Sequence, residues 1–170
     1  MALALVCFAA GCAPNSAPPS EEEQAEAALM DQLRAGKVQA EGLSAAIQES
    51  QAAAAEAFAD VPGHEEAALE VADRLAAALE SIQPFAQIVL DGEEIRADFA
   101  QQDDLRKEMI TAADDAQRDL LSASQVCLDV SEGAEPLAAI SDQIDLAASD
   151  AQALVESLGG QITLEEESAG

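Results

Sequence analysis

Leu137, Ile140, Ile144, Ala147, Ala151, Leu154 and Leu158 recur at alternating steps of three and four. That spacing returns a side chain to one face of an α-helix and is the pattern of a bundle seam. Pro136 stands at the first turn of this segment, where its missing N–H costs nothing, and Gly159-Gly160 stops it. Three further segments read the same way. Ser20-Glu21-Glu22-Glu23 has the form of a capping box and opens a pattern running to about Asp60 through Leu29, Leu33, Ala40, Leu43, Ile47, Ala54 and Phe58. Gly36 and Gly42 weaken that helix and predict a bend. Val61-Pro62-Gly63 breaks the chain, and a second helix follows on Leu69, Ala72, Leu75, Leu79 and Ile82. Pro84 should kink or end it, with Phe85, Ile88, Val89 and Leu90 as a short continuation before Asp91-Gly92. A third helix is expected from near Glu93 to about Ser131. It carries Ile95, Phe99, Met109, Ala113, Ala116, Leu120, Ala123, Cys127 and Val130, with Leu105, Ile110, Leu121 and Val126 widening its apolar face. No strand-like alternation occurs. The expectation is an all-α, elongated, antiparallel up-down bundle of about four helices over residues 21–160, with an acidic tail over 161–170. Unequal helix lengths would leave a projecting face open to self-association.

Composition sharpens this picture. Alanine supplies much of the apolar fraction. It favours helices but buries little area, so the core should be thin. The chain has 34 acidic and 7 basic residues, a formal net charge of −27. Such a surface repels phosphate backbones and anionic headgroups, which excludes nucleic acid as a partner and makes any membrane attachment covalent or hydrophobic. Three readings of the acidity stand open: solubility, life at high salt, and capture of divalent cations or a basic partner. Bases follow acids by one turn in Glu70/Arg74, Asp103/Lys107 and Asp114/Arg118, which predicts ion pairs along helix surfaces and no basic patch.

The N-terminus has its own chemistry. Met1–Gly11 is apolar and uncharged. As a helix it would span only about 16 Å, against roughly 30 Å of bilayer hydrocarbon, too short to cross and suited to the core of an export signal. It ends in Ala9-Ala10-Gly11-Cys12. This run resembles the lipobox of bacterial lipoprotein precursors, in which small residues let the peptidase approach and the cysteine thiol accepts a diacylglyceryl group. Ala9 stands where the family usually has leucine, and the first basic residue is Arg34. The resemblance implies a signal peptide over 1–11, cleavage between Gly11 and Cys12, and lipid on Cys12. Residues 12–20 then form the anchor and a Pro/Ser-rich tether. Ala13 in place of aspartate implies the outer membrane if the host is Gram-negative. Of the three cysteines, Cys7 would be discarded and Cys12 acylated. That leaves Cys127, on an apolar helix face, as a core residue.

Catalytic constellations are missing. His64 is the one histidine, so neither paired Glu-x-x-His nor His-Glu-x-x-His exists, and there is no Cys-x-x-Cys, Gly-x-Ser-x-Gly or Walker loop. His64 reads as a solvated helix end. Asp103-Asp104, Asp114-Asp115 and Glu93-Glu94 are sequence neighbours that diverge by about 100° on a helix and read as solvated faces. Without tryptophan or tyrosine there is no platform for stacking sugars or bases. The expectation is a non-enzymatic protein without cofactor or metal, anchored in the cell envelope through Cys12. It would act by binding an envelope protein or as a spacer. The alternative is an acidic module binding divalent cations or small basic molecules.

Overall fold

The computed structural model describes residues 20–90, 99–131 and 135–160. They form four helices: α1 over Glu21–Ala59, α2 over Glu65–Ala86, α3 over Phe99–Asp129 and α4 over Glu135–Ser157. Each packs on its neighbours in chain order, α4 closes back on α1, and α1 and α3 touch only sparsely across the centre. This is the up-down-up-down bundle that short connections between amphipathic helices favour. No strand occurs among the described residues. The 39 residues of α1 make it about 58 Å long at 1.5 Å per residue, well beyond its partners. Its first two turns are largely exposed, so the bundle is elongated at that end.

Local sequence explains where the helices begin and stop. The Ser20 hydroxyl accepts from the Glu23 amide at 3.2 Å, and the Ser20 amide donates back to Glu23 Oε2 at 2.7 Å. The capping box expected there is formed. At the other terminus Gly159 takes φ +76°, a left-handed conformation that glycine adopts without strain. This lets Gly160 N–H reach the Val155 carbonyl at 2.9 Å and Gly159 N–H the Glu156 carbonyl at 3.0 Å, a Schellman stop for α4. Arg106 of α3 adds to it, donating to the Leu158 carbonyl at 2.8 Å.

The core follows the seams, with one shift. All seven seam residues of α4 are buried, from Leu137 to Leu158. In α3, Met109, Ala113, Ala116, Leu120, Ala123 and Cys127 are buried, whereas Phe99 and Leu121 are exposed. In α2 the buried line is Val71, Leu75, Ala78 and Ile82, while Leu69 and Ala72, expected in the seam, face outward. Both lines have helical spacing, and periodicity alone cannot choose between two adjoining apolar stripes. Leu79 is only partly buried.

One backbone expectation is also revised, the helical continuation after Pro84. α1 runs uninterrupted through Gly36 and Gly42. Gly36 serves packing: a Cβ there would lie 2.9 Å from Leu158 Cδ2 and 3.1 Å from Met109 Cε, so the missing side chain lets α4 and α3 close on α1. Pro84 lies inside α2, and the helix ends two residues beyond it at Ala86. The short helical continuation does not form. Ile88 and Val89 have no regular secondary structure, and Leu90 is buried in the core. Glu93, Glu94 and Ile95, where the third helix was expected to start, lie outside the described residues.

Candidate functional site

Cys12 and Gly11, the residues that sequence singles out most sharply, lie outside the described residues, as does the tether up to Pro19. The first described residue, Ser20, is the N-cap of α1, so the tether delivers the chain directly into the longest helix.

Within the bundle, charged side chains are engaged with one another. Asp103 receives Lys107 at 2.7 Å and Arg106 at 2.7 Å, which holds its carboxyl below the usual range, the Lys107 bond being the largest cause. Lys107 is correspondingly raised, chiefly by its bond to Asp103. Asp114 and Asp115 both grip Arg118, at 2.8 and 3.1 Å. Neighbouring carboxylates do share a cation here, because one guanidinium reaches back both three and four positions. Arg74 departs from its expected pairing with Glu70 and crosses to Asp119 of α3 at 3.2 Å. Lys37 pairs with Glu41, an acid that follows it in the chain. No group of three or more potential ligands could hold a metal ion among the described residues, and no described helix is long and apolar enough to cross a membrane.

Cys127 is fully buried, and desolvation pushes its thiol up to about 11. A thiol so placed is protonated and inert at neutral pH. Beside it in the α3–α4 contact lies a polar pair. The hydroxyls of Ser124 and Ser141 stand 2.8 Å apart, and Ser141 also reaches the Ser124 carbonyl at 3.3 Å. This contact satisfies both groups inside the core and fixes the register of the two helices.

A concave feature with apolar walls lies at the C-terminal end of α1, opposite Ser20. There the α1–α2 turn holds the two helices together, and a half-open groove of about 680 Å³ runs between them. Phe58, Ala54 and Ala55 form the α1 wall, Ala68, Leu69 and Ala72 the α2 wall, with Val61 and Pro62 at the turn. His64 and Glu65 stand at its mouth. His64 is the N-cap of α2 but makes no side-chain cap bond, and it is half-buried against the groove, not fully solvated. Through Gln51 the groove adjoins a more open trough of mixed lining along Leu79, Glu80, Gln83 and Gln87. The groove exists because α2 carries more apolar surface than its seam can bury. Leu69 remains 68% exposed. Sequence reasoning missed this site although its signal was present: Ala68, Leu69 and Ala72 lie beside a complete seam of Val71, Leu75, Ala78 and Ile82. No protein-family model, curated protein or solved structure matches the chain.

Proposed function

We propose that this chain is a lipid-anchored, non-enzymatic helical-bundle protein of the bacterial cell envelope. It acts by engaging a protein partner or by holding one at a distance from the membrane. The observation that carries the reading is Cys12 in its lipobox-like setting, Ala9-Ala10-Gly11-Cys12, followed by a Pro/Ser-rich tether that ends where α1 begins. Acyl chains on Cys12 supply the apolar insertion that a surface of net charge −27 cannot supply electrostatically. From that anchor α1 rises about 58 Å, and the apolar groove opens at its far end. The geometry suits presentation: anchor at one pole, uncovered apolar surface at the other.

Metabolic labelling with a radioactive fatty acid tests the anchor. The wild-type chain should take up label and be processed, and Cys12→Ser should do neither. An unlabelled wild-type chain, or an unmodified Cys12 sulfur by mass spectrometry, would refute the envelope assignment.

A further inference from the structure

We infer that the α1–α2 groove is a docking site for a cationic amphipathic helix of a partner protein. This deepens the protein-binding part of the proposed function and does not depend on the anchor. The exposed Leu69 has acids on three sides at one-turn spacing: Glu65 four residues before it, Glu66 three before, and Asp73 four after. All three are exposed. Glu80 continues the acidic line along the trough. Among the described residues no lysine or arginine lines this surface: Arg74, the only base of α2, is turned away to Asp119, and Arg34 and Lys37 lie in the first half of α1, paired with Asp31 and Glu41. The surface is therefore an apolar floor with a rim of one sign. Its complement is a helix with apolar anchors at i, i+3, i+4 and i+7, flanked by lysine or arginine.

Other occupants fit less well. A second copy would bring the same acids against these, a like-charge contact that costs affinity. The groove is open along its side and runs on into the trough, so nothing closes over a small molecule, whereas a helix would lie along it. The 22 residues of α2 give it a length of about 33 Å, enough for five or six turns of a partner.

The test uses the 170-residue chain and a fluorescent 18-residue peptide of leucine and lysine in that pattern, read by anisotropy at physiological and half-molar salt. Saturable one-to-one binding is expected, weakened several-fold by the higher salt and retained in part. Leu69→Ser should weaken it at least tenfold, and Glu65→Gln with Asp73→Asn should weaken it several-fold while flattening the salt dependence. Leu146→Ser removes an equally exposed leucine on α4 and should bind as wild type does. A twin peptide with glutamate for lysine should not bind. The inference is overturned if Leu69→Ser binds unchanged, if half-molar salt abolishes binding altogether, or if the glutamate twin binds equally. A dimer in sedimentation that Leu69→Ser dissolves would also overturn it, assigning the face to a second copy. Failure of acylation at Cys12 would refute the anchor and leave these results standing, so the two readings fail separately.

Discussion

The α3–α4 side of the bundle and the α1–α2 side are built from the same residues and end differently. In α4 a second stripe of Ser141, Ala148 and Val155 is buried beside the seam. In α2 the second stripe of Ala68, Leu69 and Ala72 lies against solvent, beside Phe58 of α1. α2 packs on two neighbours, α1 and α3, as α4 does on α3 and α1, so the difference lies in where the extra apolar stripe points: inward in α4, outward beside the α1 contact in α2. α2 and α4 carry three leucines each, yet α4 ends in a closed core and α2 beside an open groove.

The sharpest way to break that contrast is to remove one leucine from each side. Leu154 is fully buried in α4, and Leu154→Ala should cost about 2–5 kcal/mol through lost transfer energy and the cavity left behind. Leu69→Ala should stay within about 0.5 kcal/mol, as an exposed position does. Urea unfolding of the two variants checks this. Comparable losses would mean that Leu69 contributes to the core and that the groove is part of the packing.

The next effect belongs to Cys127, on the closed side. Its thiol is pushed up to about 11 by burial, from an ordinary value of 9.0. The native state therefore holds this proton more tightly than the unfolded chain. The associated stability is complete below the ordinary value and is lost as pH rises through about 11, on the order of 3 kcal/mol at about 1.4 kcal/mol per unit. Denaturation midpoints measured from pH 8 upward should fall more steeply for wild type than for Cys127→Ala. The native thiol should resist an aromatic disulfide reagent at neutral pH until the chain is unfolded. Ready reaction without unfolding would place Cys127 at the surface.

Periodicity made the closed side legible and the open side hard to read. Every seam residue expected in α4 is buried, since each strong position there had only one consistent face. In α2, Leu69–Ala72 and Val71–Ala78 competed, and the winner was decided by the direction from which α3 approached, a tertiary fact that no local window contains. The packing use of Gly36 was hidden for a related reason: it lies in what Leu158 and Met109, distant in the chain, would otherwise meet. Arg74 left Glu70 for the same cause, because a neighbouring helix offered Asp119. Caps and turns were readable because their partners lie within a few residues, as with Ser20 and Glu23.

The Ser124–Ser141 contact sharpens the comparison at the level of specificity. Ser141→Ala leaves the buried Ser124 hydroxyl without its partner and should cost about 1 kcal/mol, whereas Ser124→Ala should cost less, because Ser141 keeps the Ser124 carbonyl. The double variant should cost less than the sum, because neither group is then orphaned. Additive losses in a double-mutant cycle would mean the two serines act independently and the register of α3 on α4 is set by apolar packing alone.

The smallest expected effect lies in the acid limb, at the end of the bundle where Arg106 ties α3 to α4. Asp103 is held below the usual carboxylate range by Lys107 and Arg106, so its contribution is present above the ordinary value of 3.8 and disappears as pH falls through the depressed one. The side chains remain partly exposed, at 30% for Asp103 and 60% for Lys107, and solvent screening keeps the contribution small. Asp103→Asn should therefore lower the melting midpoint slightly at neutral pH and approach wild type as pH falls through the depressed value and the wild-type carboxyl takes up its proton. The loss should exceed that of Asp31→Asn on α1. Asp31 holds Arg34 alone, whereas Asp103 also orients the guanidinium that caps the Leu158 carbonyl. Equal losses would show that the capping arginine needs no carboxylate to aim it, and that the end of α4 is held by its glycine stop alone.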